Sequence, residues 1–314
     1  MRLKIAGIGE VLWDLLPSGS QLGGAPANFA CHAHAFGAGA AVVTRVGTDD
    51  FGRAIRQRFD ELGIAVDTMQ VDDEVATGTV TVELSPTGIP HYVIHENVAW
   101  DRLIIMPEAL KAMREADAVG FGSLAQRGEP ARSSIQMLVA AAPPGALRVF
   151  DINLRRNYFS GEIIEPSLRI ANVLKLNQGE LSVLARLFGL AGGPRQQIER
   201  LAGKFELRLV ALTLGPAGSR LFQAGQWSDC PSVPIEIVDR AGAGDAFTAA
   251  LVLALLHQME LDEMNAFANE VARHVCACAG ATPPLPGHLP NDLPPATGPG
   301  GTAPKPIAVN KFKS

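Results

Sequence analysis

The feature that most constrains this chain is the alternation of short apolar runs with amphipathic helical stretches. Leu3 to Ile8 and Ala40 to Val46 read as buried strands, and between them Gly24-Ala25-Pro26 opens a helix, with Pro in its first turn, that runs through Ala35. Asp49 can cap a second helix whose apolar positions Phe51, Ile55, Phe59 and Leu62 stack on one face before Gly63 ends it. After Pro107 the rhythm resumes, with strands near Ala118 to Phe121, Leu147 to Ile152, Val173 to Leu176 and Leu207 to Leu212. Helical stretches such as Pro130 to Ala141 and Gly179 to Phe188 separate them. Continuous apolar strands alternating with helices predict an α/β fold, a parallel sheet covered by helices.

Two segments break this rhythm. From Thr77 to Val93 the residues become β-branched and alternating around the turn Ser85-Pro86-Thr87-Gly88, which predicts a hairpin. Gly218 to Phe222 and Gln226 to Cys230, joined through Ala224-Gly225, predict an antiparallel hairpin at one sheet edge. Two long helices then close the domain. The second carries Met264, Phe267, Ala268, Val271, Val275 and Cys278 on one stripe, which makes Cys278 a core thiol. From Pro283 the composition shifts to Pro and Gly, so residues 286–314 are expected to form a wrapping or disordered tail without a catalytic part, and residues 1–285 the folded domain.

At 314 residues the chain can bury a substantial core as one large domain or two smaller ones. Its 27 basic against 32 acidic residues are scattered, with no stripe or arm to neutralise a phosphate backbone, which argues against nucleic acid as a partner. Glu10 and Asp14 interrupt the apolar N-terminal run, and no stretch approaches the ~20 apolar residues of a spanning helix. A cytoplasmic protein with no membrane partner is the expectation. The four cysteines form no disulfide framework and no C-x-x-C pair, and Cys276 and Cys278, two apart on an expected helix beside His274, point to different faces rather than to a zinc site.

The stretch richest in chemistry is Asp239-Arg240-Ala241-Gly242-Ala243-Gly244-Asp245-Ala246-Phe247, followed at once by an apolar helical run to Leu256. Small residues leading into a helix leave backbone N–H groups exposed at its positive end, an anion hole suited to a phosphoryl group. A fixed carboxylate beside a bound phosphate is unfavourable unless it has a task. For Asp245 that task is to accept the proton of an attacking hydroxyl; a favourable N-terminal helix charge is the plainer alternative. Other phosphate motifs fail. Gly203-Lys204 is followed by Phe205 and has Ile198 where a Walker loop needs Gly, and Gly7-Ile8-Gly9 has Leu12 in place of the third Gly of a dinucleotide fingerprint.

Five motifs in order make the sequence similar to the PfkB-family carbohydrate kinases of the ribokinase-like fold, and within them to the bacterial fructokinases. They are Gly23-Gly24-Ala25-Pro26-Ala27-Asn28 with Val46-Gly47-Thr48-Asp49-Asp50-Phe51-Gly52 after it, Asp151-x-Asn153-x-Arg155, Asn177-x-x-Glu180, Thr213-x-Gly215-x-x-Gly218, and Asp239 to Asp245. The resemblance covers roughly residues 1–285. It implies a large α/β/α domain with a small β-sheet lid from segments about 11–22 and 74–100, closing over the sugar to keep ATP from water.

The resemblance also implies roles. Asp245 is the general base, and Gly242, Ala243 and Gly244 line the anion hole. Asp14 and Asn28 hold sugar hydroxyls, Gly23 and Gly24 let the backbone approach the ring, and Arg155, with Asn153 nearby, contacts the phosphates or the sugar. Asn177, Glu180, Thr213, Gly215 and Gly218 belong to the nucleotide site, with Asn269 bordering the adenine. Glu180 and Asp239 are the carboxylates assigned to metal, and ATP and Mg²⁺ are the implied cofactors. Arg240 stands where the family often has Thr beside a monovalent cation, which leaves K⁺ open. The implied partners are a small-molecule sugar and ATP, with a homodimer through the lid sheets. The favoured reaction is phosphorylation of D-fructose at O6; ribose, 2-keto-3-deoxygluconate or a nucleoside is the alternative acceptor, and a non-catalytic sugar-binding relative the remaining one.

Overall fold

The computed structural model describes residues 2–17, 19–84, 90–291 and 293. The chain begins with β1 (Lys4–Ile8), whose last four residues are buried, and turns into the small strands β2 (Leu12–Leu16) and β3 (Gly19–Gly23). Helix α1 (Ala25–Ala35) starts at Gly24 with Pro26 in its first turn. After β4 (Gly39–Gly47), α2 (Asp50–Glu61) is capped by Asp49, whose side chain accepts the Gly52 N–H. Then come β5 (Met69–Asp72), β6 (Gly78–Leu84) and β7 (Pro90–Ile94). The remainder alternates: α3 (Pro107–Glu115), β8 (Ala118–Phe121), α4 (Ala131–Ala140), β9 (Leu147–Asp151), α5 (Gly161–Ile170), β10 (Val173–Asn177), α6 (Gln178–Phe188), α7 (Pro194–Lys204) and β11 (Leu209–Thr213). The hairpin β12 (Ser219–Gln223) and β13 (Gln226–Cys230) leads to α8 (Ala243–Leu256), α9 (Leu261–Cys276) and the short α10 (His288–Asn291).

The large sheet has the order β13-β12-β11-β10-β9-β8-β1-β4-β5, parallel from β11 to β5, with β12 and β13 antiparallel at one edge. Strand alternation sends side chains to two cores. Val119, Phe121, Phe150, Val210 and Leu212 pack under α3 to α7, while Ile5, Leu147, Val149, Leu209 and Ala211 pack under α1, α8 and α9. This is the doubly covered sheet that the apolar strand runs demand. Strand order runs outward in both directions from the β1–β8 pair, and ligands of such sheets bind beyond the carboxyl ends of the strands at that reversal. The lid is a separate sheet in the order β3-β2-β6-β7, in which Asp14 lies opposite Gln21 on one side and Val80 on the other.

Some expectations need correction. Phe51 does not join Ile55 and Phe59 in the core. It is 37% exposed and lies 6.1 Å from Trp13, whose indole N–H donates to the Phe51 carbonyl, so it meets the lid instead. Cys278 lies beyond the end of α9 and is half-buried, its Sγ 3.8 Å from His274 Nε2. The stretch read as a wrapping or disordered tail begins as a wrapping one, α10 placing Leu289, fully buried, in the α8–α9 core. The hairpin turn at residues 85–89 and the tail after residue 293 lie outside the described residues. Among the described residues, no helix is long and apolar enough to cross a membrane.

Candidate functional site

The site forms where β1, β8, β9, β10 and β11 end and the first turns of α1 and α8 begin. Gly242 has φ 71°, and a Cβ there would sit 2.0 Å from the Ala281 carbonyl oxygen, so α8 can start in this place only from glycine. Ala281 is itself fixed by His32 of α1, whose Nε2 donates to the same carbonyl at 3.0 Å. His32 is 1% exposed, and burial pulls its pKa down to about 4, so it is a neutral donor. Helix geometry leaves the N–H groups of Ala243, Gly244 and Asp245 without intrahelical acceptors, aimed at the end of the sheet.

Asp245 occupies this first turn. Its Oδ2 accepts the Asn28 side-chain N–H at 2.8 Å, and Asn28 is 6% exposed on α1. Burial, and then the Asp151 carboxylate, push Asp245 up to about 6, against the Asn28 hydrogen bond and the charges of Lys175 and Arg155. Beneath it lies a buried ionic brace. Lys175 Nζ is 3.0 Å from both carboxylate oxygens of Asp151, and Thr248 donates to Asp151 Oδ2 at 3.0 Å. A Cβ on Gly244 would stand 3.0 Å from the same Nζ. Asp151, Asp245 and Thr248, with Ala25, Pro26 and Gly122, line a cavity at this point.

On the lid side, Asp14 Oδ2 lies 2.6 Å from where a Gly23 Cβ would be, and a Cβ on Gly24 would meet the Glu10 carbonyl oxygen at 2.4 Å. The paired glycines are therefore required by the packing of β2 and β1 against the start of α1. Burial raises the Asp14 pKa, opposed by Arg155 and reinforced by Asp239. Arg155 thus acts electrostatically on Glu10, Asp14 and Asp245 together, and Asn153 precedes it with φ 40°, turning the chain out of β9.

Asn177 and Glu180 form a reciprocal cap on α6: Asn177 Oδ1 accepts the Glu180 N–H at 3.0 Å and Glu180 Oε2 accepts the Asn177 N–H at 2.8 Å. Glu180 Oε1 accepts the Leu154 N–H at 2.9 Å, so this side chain braces the loop that carries Arg155. Asp239 is similarly engaged, accepting from the Ala241 N–H at 2.9 Å and the Gly280 N–H at 3.1 Å. Among the described residues no group of three His, Cys, Asp or Glu side chains could hold a metal ion. The carboxylates assigned to metal, Glu180 and Asp239, are both taken up by backbone N–H groups, so an Mg²⁺ ion here would be held mainly by phosphate oxygens and water, as Mg²⁺ commonly is.

Thr213 ends β11, and Gly215 and Gly218 have φ 58° and 98° in the following turn, where a Gly218 Cβ would strike the Cys230 carbonyl oxygen at 2.0 Å. Asn269 lies against this turn, at Ser219, which follows Gly218 and pairs with Thr213. Its side-chain nitrogen donates to Ser219 Oγ at 2.6 Å and to the Asn265 carbonyl at 2.8 Å, tying α9 to β12. Sequence reasoning missed Glu10, His32, Lys175 and Thr248, and gave Asp151 no role. Lys175 carried a signal, a lone charge inside the apolar run Val173 to Leu176.

A family model described as pfkB family carbohydrate kinase matches residues 19–287. The fructokinase of Klebsiella pneumoniae is 31% identical over 283 residues, covering 87% of this chain and 91% of its own. The putative sugar kinase PH1459 of Pyrococcus horikoshii is 29% identical over 287 residues, covering 85% of this chain and 88% of its own. A crystal structure of that protein in complex with ATP superposes with a TM-score of 0.74 at 28% identity, covering 88% of this chain and 94% of that one. With its fold and a match spanning most of its length, the chain belongs to the pfkB family of carbohydrate kinases, enzymes that phosphorylate a sugar hydroxyl at the expense of ATP.

Proposed function

We propose that this kinase transfers the γ-phosphoryl group of ATP to the primary O6 hydroxyl of D-fructose, with Asp245 as the general base. The observation that carries the reading is the Asp245 carboxylate at the first turn of α8, held by Asn28 beside the N–H groups of Ala243 and Gly244. In this reading Asp245 takes the hydroxyl proton as the new O–P bond forms, the bond from the γ-phosphorus to the bridging oxygen breaks, and ADP leaves with the electron pair. The N–H groups of Gly242, Ala243 and Gly244 stabilise the charge that develops on the transferring group.

Asp14 and Asn28 hold ring hydroxyls, Gly23 and Gly24 shape the wall behind them, and Asn153 and Arg155 close the side nearest the phosphates. Thr213, Gly215 and Gly218, at the end of β11 and in the turn after it, take the nucleotide, and the ATP held by the PH1459 crystal structure supports ATP as the donor. Bound Mg²⁺ would neutralise the phosphate charge, with Glu180 and Asn177 reaching it through water. A monovalent cation is no part of the reading, since Asp239 is engaged by two N–H groups and Arg240 adds a fixed charge next to it. The edge strands β3 and β7 of the lid supply free backbone groups through which a second copy could pair, giving a homodimer.

Fructose is chosen on the likeness to the Klebsiella fructokinase and on the run Gly9 to Asp14 with Gly23 to Asn28. Buried polar groups reject a sugar lacking the matching hydroxyl far more strongly than one altered in an apolar group. The test is an ADP-release assay over hexoses, pentoses, ketodeoxy acids and nucleosides. Fructose should give the highest kcat/KM; about a tenfold advantage for any other acceptor would overturn the sugar assignment and leave the kinase intact.

A further inference from the structure

Glu10 is a buried carboxyl group that the reaction just described does not use. It follows β1 through Gly9, is 2% exposed, and its Oε2 has no hydrogen-bond partner. Glu10 lies against the start of α1, where a Cβ on Gly24 would meet its carbonyl oxygen at 2.4 Å, and its own N–H and that of Ala25, the first residue of α1, favour a charge on the carboxyl. Two charged groups face it from other elements: Arg155, from the loop after β9, attracts a charge there, and Asp245, from α8, repels it.

A dry carboxylate with one unsatisfied oxygen is far less favourable than the neutral acid. Two buried carboxyl groups that sense each other do not both ionise readily; one holds the proton and the other the charge. Asp245 has the better claim to the charge, because the Asn28 amide donates to it and Lys175 and Arg155 both lie near, although Asp151 opposes them. Glu10 has Arg155 and two backbone N–H groups.

We infer that Glu10 is a positioning residue that works in its uncharged form: its carboxyl group anchors the first turn of α1 to the end of β1, and its neutrality leaves the negative charge of that corner on Asp245. The inference rests on the reading of Asp245 as the base. Burial pushes both carboxyls up, Glu10 to about 7 and Asp245 to about 6. The anchor matters because α1 carries Asn28 one turn further on, and Asn28 is what holds Asp245.

The experiment uses the full chain with ¹³C-labelled glutamate side chains, the Glu10 resonance being assigned by its loss in Glu10→Gln. Its titration midpoint should lie about two units or more above that of an ordinary glutamate. Glu10→Gln, which imitates the neutral acid, should keep kcat/KM within about threefold of wild type at pH 6 and leave the acid limb of the pH profile in place. Glu10→Ala removes the anchor and should lower kcat/KM by about 10- to 100-fold, through misplaced α1. A midpoint in the ordinary glutamate range, or a Glu10→Gln variant as impaired at pH 6 as Glu10→Ala, would overturn the inference. Asp245→Asn is assayed alongside: full turnover in that variant refutes the base, while the Glu10 midpoint still decides the charge of Glu10.

Discussion

Asn28 donates its side-chain N–H to Oδ2 of Asp245 across 2.8 Å, joining α1 to the first turn of α8 over a sequence separation of 217 residues. The bond favours the ionised carboxylate, whereas burial favours the neutral acid, and the balance leaves Asp245 titrating near 6. Such a group is charged at neutral pH yet basic enough to take a proton.

Asp245→Asn should lower kcat by about 10² to 10⁴. It should also stabilise the fold at neutral pH. The folded pKa of Asp245 stands above its unfolded value, so the folded state is penalised once pH exceeds about 6, and the penalty disappears below about 4. The shift of about two units corresponds to a gain on the order of 2–3 kcal/mol for the amide at pH 8. Melting curves at pH 4 and pH 8 check this; an equal Tm difference at both would refute it.

In the wild-type enzyme kcat/KM should fall as pH drops through about 6, where Asp245 takes up its proton. Lys175→Met removes a charge that favours ionised Asp245, so this limb should move upward by roughly one unit. The same change strands Asp151 without its partner, at a stability loss of about 3–5 kcal/mol. Profiles recorded at a temperature where the variant remains folded separate the two effects. A limb that stays in place would show that Lys175 only braces the fold.

Gly242→Ala and Gly244→Ala should differ sharply. At Gly242 the new methyl meets backbone oxygen at 2.0 Å from a left-handed φ of 71°, and neither can relax cheaply. A stability loss above about 2 kcal/mol with impaired turnover is expected. At Gly244 the nearest atom, at 3.0 Å, is the far end of Lys175, so the loss should stay within about 1 kcal/mol. Denaturant titration of both variants, with ATP kinetics, tests the contrast.

His32 contributes an acid-sensitive part of the stability. Its pKa falls on folding to about 4, so stability is complete above about 6.5 and is lost as pH drops toward 4, because the unfolded chain takes up a proton that the buried ring refuses. The loss attributable to His32 is on the order of 3 kcal/mol. His32→Gln retains an N–H donor toward Ala281 and should be stabilised relative to wild type as pH falls from 6.5 to 4, leaving the opposite contributions of Asp245 and Glu10 unopposed. A slope identical to wild type would remove His32 from the account.

The sequence by itself determined the layered α/β architecture, because a strand buried on both faces must read as a continuous apolar run and a covering helix as a periodic one, and both patterns are local. The edge hairpin of β12 and β13, the start of α1 at Gly24-Ala25-Pro26 and the glycines before α8 were legible for the same reason: turn chemistry and glycine conformation act over a few residues. The tertiary structure alone decided which distant side chains share a charge environment. Phe51 and Leu289 show the limit in packing, one leaving its expected core to meet Trp13 of the lid, the other docking a stretch too poor in apolar residues to promise it. Glu10, Lys175 and Asp151 show it in electrostatics. Nothing in their immediate neighbours says that three strand ends will gather them around Asp245, and the protonation of a carboxyl group is fixed by burial and by charges that arrive from elsewhere in the chain.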